Sequence, residues 1–362
     1  MPVYLNNTDF EFELANPRQT ISQNWEQYPL CQQLQFIPLL YACSDDFIAV
    51  STFPSDQFLC DLHNLSWRKN QPLAKLVNWQ DKCAFKKQVG QVWGASQQTQ
   101  IWAEEREIYY HFPINWEMIR EINSKAYSFK YTTLSKAALV ENSVQLEKWF
   151  EQVKGEKVLK SCFGLSGKGN RLIKQSTLTP ATLNFCEKEW KAGRVIIAEP
   201  WLERFFDFSS QWVIHSNGSR ELLGSTVFET DQRGMYLGTL AGDEKKLFKD
   251  FFKELLEHYH FVQKVLDDLF KKGFFGNVGI DAFLYHSEAK IHLYPVVEIN
   301  ARQTMSLVAL RLQRKWFPNQ TIRLRFASLQ DLQPSLLPLE IFKEQEKIPY
   351  QFFKRKLVLD VI

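Results

Sequence analysis

Two acidic segments in the last third of the chain decide the fold: Gly279-Ile280-Asp281 and, after a short turn, Glu298-Ile299-Asn300-Ala301-Arg302. Apolar residues flank both segments, which predicts two strands of a hairpin, over 277–285 and 291–300. Side chains alternate along a strand, so Asp281 lies on the face opposite to Ile280. Glu298 and Asn300 are two residues apart and therefore share a face.

If the strands pair so that Asp281 and Glu298 face together, three oxygen-bearing side chains converge with Asn300. Mg²⁺ prefers such hard oxygen ligands and completes its octahedron with phosphate and water. A carboxylate among apolar neighbours is costly unless it is paired or binds metal, so a salt bridge to a lysine is the alternative. Arg302 could donate two hydrogen bonds to a phosphoryl group or a substrate carboxylate, or it could be an ordinary surface arginine.

A glycine-rich turn follows a predicted strand that ends at Lys160. Gly164, Gly167 and Gly169 would let backbone N–H groups approach a ligand, and Lys168 adds positive charge for phosphate. The spacing is not that of a Walker loop, because Gly169 follows Lys168. It also fails the G-x-S-x-G pattern around Ser166, which excludes a serine hydrolase of that type. An ordinary hairpin turn is the alternative.

A third segment, Glu199-Pro200-Trp201-Leu202, ends an apolar strand. Its backbone groups could meet the edge of a purine ring between aromatic and aliphatic walls. Taken alone, the pattern is equally compatible with the end of a core strand.

The composition of the chain limits the classes of partner that we expect for this protein. The chain has 362 residues with 44 basic and 41 acidic side chains, and this balance, with no basic–aromatic motif, argues against a nucleic-acid partner. No apolar stretch reaches the ~20 residues that span a bilayer, so no membrane partner is expected. The N-terminus shows no signal-peptide pattern. Six cysteines without a C-x-x-C pair indicate reduced thiols and a cytoplasmic location.

The order of these segments resembles the ATP-grasp superfamily. The resemblance covers about residues 115–315 and is most specific at Glu298-Ile299-Asn300-Ala301-Arg302, which is similar to the family's E-x-N-x-R motif. It implies an α+β fold with two subdomains, 115–203 as the ATP lid and 204–316 for metal and substrate. Residues 1–114 would form a preceding α/β domain, and 317–362 a C-terminal appendage.

The resemblance also implies roles for individual residues. Lys125 and Lys160 would contact phosphates, the turn from Gly164 to Gly169 would close over them, and Arg302 would stabilise the transferred γ-phosphoryl group. The adenine site would be formed by Glu199, Pro200, Trp201 and Leu202, and the ribose would meet Asp207. Asp281, Glu298 and Asn300 would hold Mg²⁺, or Mn²⁺ in its place.

The chemistry implied is the ligation of a small-molecule carboxylate to an amine, or to a thiol, through an acyl-phosphate formed from ATP. A phosphotransferase or a silent nucleotide-binding scaffold is the alternative, and pairing of two copies through the N-terminal region is expected by analogy. Gly279 stands where many relatives have an arginine, so Arg204, Arg233 or Arg302 would anchor the substrate carboxylate. Residues 229–242 are expected to form a mobile loop over the intermediate.

Overall fold

The N-terminal region forms a parallel sheet in a computed structural model, which describes residues 1–17, 20–164, 169–175, 177–230, 236–288, 290–343 and 348–362. The strand order is β4-β2-β1-β5, and every pair is parallel. Its elements are β1 (Pro2–Leu5), α1 (Phe10–Ala15), α2 (Ile21–Gln27), α3 (Pro29–Leu34), β2 (Phe47–Val50), β3 (Phe53–Pro54), α4 (Asp56–His63), β4 (Lys75–Asn78), β5 (Val89–Val92) and α5 (Gln97–Glu104).

The described part of the next region contains a four-stranded antiparallel sheet of order β6-β9-β7-β8 and four α-helices, two of them long. Asn142 caps its first long helix, and Thr179 caps the second with a proline at the first helical position, residue types that favour a helix start. The elements are α6 (Trp116–Ile122), α7 (Lys125–Ser128), β6 (Ala138–Val140), α8 (Ser143–Gln152), β7 (Lys157–Ser161), β8 (Asn170–Ile173), α9 (Pro180–Lys191) and β9 (Ile196–Pro200).

The rest of the chain pairs β16 and β17 with β3 in a three-stranded sheet of order β17-β16-β3 and builds a seven-stranded antiparallel sheet of order β14-β13-β10-β11-β12-β15-β18. The predicted hairpin is its edge pair, β13 and β14. The elements are β10 (Glu203–Ile214), β11 (Arg220–Thr230), β12 (Tyr236–Ala241), α10 (Glu244–Phe248), α11 (Phe252–Lys271), β13 (Gly276–Ser287), β14 (Lys290–Asn300), α12 (Met305–Trp316), β15 (Ile322–Ser328), β16 (Glu340–Phe342), β17 (Gln351–Phe352) and β18 (Arg355–Val361).

One apolar cluster joins the parallel sheet to the seven-stranded sheet. Ile48 of β2, Ile122 of α6, Leu266 of α11 and Ile280 of β13 all belong to it and are fully buried. Because burial of apolar surface dominates folding, this shared core fixes the position of the N-terminal region against the strands that carry the acidic segments.

Three sequence expectations differ from the structure. Residues 317–362 do not stand apart, because β15 and β18 extend the seven-stranded sheet and β16 pairs with β3. Of the expected loop over 229–242, residues 231–235 lie outside the described residues, and most of the rest is strand. There Gly238 faces Arg325, whose Cβ would lie 2.8 Å from an added Cβ at 238, so glycine permits this strand approach. The apolar periodicity of residues 244–272 predicts one amphipathic helix, but the structure interrupts it at Lys249, where φ is +29°. The boundaries proposed for the domains remain predictions.

Candidate active site

The two acidic segments lie side by side in the sheet. Asp281 is the register partner of Glu298, and Gly279 is the partner of Asn300. Val278 and Ile280 on the opposite face are 1% and 0% exposed. The alternation of side chains along β13 therefore turns the apolar set to the core and the polar set to a cavity, as the sequence predicts.

Hydrogen bonds connect this polar set. Ser209 Oγ donates to Asp281 Oδ1 at 2.7 Å, and Asn300 Nδ2 donates to Asp281 Oδ2 at 3.1 Å. Arg302 Nη2 donates to Asn300 Oδ1 at 2.8 Å. Burial, and then the nearby Glu298 carboxylate, raise the pKa of Asp281 to about 6. Because Asp281 and Glu298 are register partners on neighbouring strands, their two carboxylates together favour a cation between or beside them.

Two lysines expected at phosphates are paired with carboxylates of the site. Lys125 Nζ donates to Glu298 Oε1 at 2.6 Å, so the salt bridge considered as the alternative for this carboxylate is present. Lys160 Nζ donates to Glu199 Oε2 at 2.5 Å, while Tyr294 donates its hydroxyl to Glu199 Oε1 at 3.0 Å. The two lysine–glutamate pairs have no net charge, and their four side chains are largely buried.

Arg302 reaches the N-terminal region. Its guanidinium donates to Glu11 Oε1 on α1, and both side chains are mostly buried. The role of Glu11 was missed by sequence reasoning. The available signal was a glutamate between two aromatic residues, Phe10-Glu11-Phe12, where burial of the neighbours makes a charge expensive unless it is paired.

The glycine turn is described at its two ends, while Ser166, Gly167 and Lys168 lie outside the described residues. Ser161 N donates to the Gly169 carbonyl at 3.0 Å, which closes the hairpin base. A Cβ at 169 would lie 2.3 Å from Ser161 Oγ, and one at 164 would lie 3.1 Å from the Gly169 backbone. Glycine is required at this approach of two backbones.

The charged side chains of these pairs, together with Asp281 and Asn300, line one cavity of about 420 Å³, a size typical of small-molecule sites. Strands of both antiparallel sheets and helices of the N-terminal region form its walls. The cavity brings together every sequence-predicted residue that the structure describes: Lys125, Lys160, Gly164, Gly169, Glu199, Pro200, Trp201, Leu202, Asp207, Asp281, Glu298, Asn300 and Arg302.

Neither the protein-family models nor the curated proteins contain a match to this sequence. Solved structures do. The biotin carboxylase of Campylobacter jejuni, an ATP-grasp enzyme, superposes with a TM-score of 0.50 at 12% identity, over 76% of this chain and 71% of that one. The chain has the ATP-grasp fold. The N5-carboxyaminoimidazole synthetase of Staphylococcus aureus superposes over 99% of this chain and 92% of that one, with a TM-score of 0.49 at 14% identity.

Asp207 lies at the cavity wall of this ATP-grasp fold. Thr230 Oγ1 donates to Asp207 Oδ2 at 2.9 Å, and Arg204 Nη1 lies 3.4 Å from Oδ1. Burial raises the pKa of Asp207. The carboxylate therefore has a hydroxyl partner already, which is the kind of contact that a ribose hydroxyl would also make.

The departure at Gly279 has a steric reason. A Cβ at this position would lie 2.8 Å from Thr304 Cγ2 and 3.0 Å from Gln211 Nε2, so an arginine has no room here. Of the arginines considered as its replacement, Arg204 and Arg302 line the cavity, whereas Arg233 lies outside the described residues.

The donor set fits a magnesium ion by its chemistry. It consists of two carboxylates and one amide on paired strands, all oxygen ligands. Within the described ranges no group of three or more His, Cys, Asp or Glu side chains is arranged for a metal, so Asn300 and a ligand would have to complete the shell.

The same described ranges contain no helix long and apolar enough to cross a membrane.

Proposed function

We propose that this protein is an ATP-dependent ligase that joins a carboxylate to an amine, or to a thiol, and forms ADP and phosphate. The observation that carries the proposal is the convergence of Lys125, Lys160, Asp281, Glu298 and Arg302 on one cavity. One bound triphosphate could therefore contact the basic side chains, while its metal ion contacts the two carboxylates. The ATP-grasp fold supports this assignment, and the C. jejuni biotin carboxylase was solved with β,γ-ATP.

The nucleotide would bind by exchange of ionic partners. Lys160, now paired with Glu199, and Lys125, now paired with Glu298, would turn to the phosphates. This frees Glu199 for the adenine amino group, beside Trp201 and the backbone of Pro200 and Leu202. Asp207 would accept hydrogen bonds from the ribose hydroxyls, and the turn that begins at Gly164 would cover the phosphates.

Asp281, Glu298 and Asn300 would hold Mg²⁺, or Mn²⁺ in its place. When bound, the ion supplies positive charge that neutralises the β- and γ-phosphates. Metal binding at Glu298 would require Lys125, now 2.6 Å from Glu298 Oε1, to leave that carboxylate.

The chain's own contribution to the chemistry is position and charge. An oxygen of the substrate carboxylate would attack the γ-phosphorus, the bond to the β-phosphate oxygen would break, and ADP would leave with an acyl-phosphate remaining. Arg302, held between Asn300 and Glu11, would neutralise charge on the transferred group. The amine nitrogen would then attack the acyl carbon, the bond from that carbon to the phosphate oxygen would break, and phosphate would leave while the nitrogen loses a proton to water.

The test is ADP and phosphate release by the purified chain with Mg-ATP over a matrix of carboxylic acids and amines. We expect release that depends on the acid, and trapping of a hydroxamate when hydroxylamine replaces the amine. ADP formed with hydroxyl acceptors and no hydroxamate would identify a phosphotransferase instead. Tight ATP binding without ADP from any pair would identify a nucleotide-binding scaffold.

We also propose a cytoplasmic location, because the six cysteines of the sequence form no C-x-x-C pair, which is typical of reduced thiols. The homodimer implied by analogy stays a proposal, and sedimentation of the purified chain tests it.

A further inference from the structure

The cavity continues past Arg302 into the N-terminal region. Asp281 contacts Asn300, Asn300 contacts Arg302, and Arg302 contacts Glu11 on α1. The next residue, Phe12, also lines the cavity. The part of the cavity beside Arg302 is therefore lined by residues of α1.

This end of the cavity is apolar. Phe12 and Tyr28 are half-buried and stacked, with ring centroids 3.6 Å apart and an interplanar angle of 2°. Pro29, Leu30 and Leu34 of α3 continue the same wall, and Leu30 keeps 40% of its surface exposed. We call the wall formed by Phe12, Tyr28, Pro29, Leu30 and Leu34 the aromatic end.

The charges of the lining residues also favour an apolar ligand at this end of the cavity. Among the described residues that line the cavity, the N-terminal region contributes no lysine or arginine. Its one carboxylate, Glu11, is paired with Arg302. A phosphate or carboxylate at the aromatic end would therefore lose water without gaining a cation, which is costly. A flat apolar group would instead gain by leaving water.

From this wall we infer that the end of the substrate that lies in the N-terminal region is an uncharged aromatic or similarly flat apolar group. That end carries no phosphate. The inference rests on the proposed function and specifies its substrate class. The reactive carboxylate or amine lies near Arg302, and the apolar group packs against Phe12, Tyr28 and Leu30.

The test is direct binding, which needs no turnover. Indole is the probe, observed by saturation-transfer NMR with the full chain. Two matched pairs compete with it: 3-phenylpropionate against 3-phosphonopropionate, and phenethylamine against 2-aminoethylphosphonate. Leu30→Lys is the variant, since Leu30 is exposed enough to change without loss of core. Leu256→Lys on α11, 52% exposed and outside the cavity lining, is the matched control.

We expect indole to bind and the phenyl member of at least one pair to displace it, with neither phosphonate doing so. Leu30→Lys should weaken indole binding about fivefold, and Leu256→Lys should leave it unchanged. The inference would be overturned if indole did not bind, if the two variants bound indole equally well, or if a phosphonate competed more strongly than its phenyl counterpart. Failure of every acid–amine pair to release phosphate would contradict the proposed function separately, and the indole result would still decide the subsite.

Discussion

Lys125 Nζ lies 2.6 Å from Glu298 Oε1, and this ion pair joins the start of α7 to β14 across 173 residues of sequence. The lysine side chain is 11% exposed and the glutamate 22%. The pair therefore holds two groups that the proposed reaction needs apart, one for phosphate and one for metal. Nucleotide binding and breakage of this pair are expected to be coupled.

Glu298→Ala should abolish acid-dependent ADP release, because it removes a proposed metal ligand. It should also lower the free energy of unfolding by about 1–3 kcal/mol, since Lys125 loses its partner in a nearly buried place. Adding Lys125→Met to that variant should restore part of the stability and none of the turnover. Denaturant unfolding and an ADP assay measure both effects, and near-normal turnover of Glu298→Ala would refute the metal assignment.

Lys160→Ala should raise the dissociation constant for ATP about tenfold or more, because a charge-assisted contact to phosphate is lost. Lys157→Ala is the control on the same strand. Lys157 is equally buried, donates to the Gly155 carbonyl at 3.0 Å and does not line the cavity. Calorimetric titration with ATP compares the two, and equal affinities would discredit the phosphate role of Lys160.

Glu11→Gln should lower kcat about tenfold with little change in the KM for ATP, because Arg302 loses the anion that orients it. Glutamine keeps the shape of the side chain and removes only the charge. Glu26→Gln, at an exposed position of α2, is the control. Steady-state kinetics of the ligase reaction test this, and a kcat equal in the two variants would show that Glu11 has no positioning role.

His258 should make stability depend on pH. Burial lowers its pKa from 6.5 to about 3, while Ser210 Oγ lies 2.7 Å from Nε2 and the Pro295 carbonyl 3.0 Å from Nδ1. Between these pH values the unfolded chain binds a proton that the folded chain does not, so stability falls as pH drops below 6.5. The loss should reach about 1 kcal/mol at pH 5.5.

His258→Gln isolates this contribution from those of other groups. Its unfolding free energy should vary less between pH 7 and 5.5 than that of the unchanged chain. Urea unfolding at the two pH values measures the difference, and identical pH slopes would exclude His258 as its origin.

Local patterns in the sequence determined a good part of this protein. Alternation along β14 was enough to put Glu298 and Asn300 on one face, and alternation along β13 put Asp281 opposite to Ile280, whereas the register that brings Asp281 beside Glu298 came from the structure. The caps at Asn142 and Thr179 set the starts of α8 and α9. These features depend on residues within a few positions of one another, where strand geometry and backbone hydrogen bonding act directly.

Only the tertiary structure decided which charges meet. Glu11 lies 291 residues from Arg302, and nothing in either neighbourhood specifies the other. The incorporation of β15 and β18 into the large sheet, and the wall of Phe12 and Tyr28 at the cavity, likewise depend on how distant segments pack. Local propensity cannot encode such contacts, because they arise from shared burial of side chains that the chain brings together only on folding.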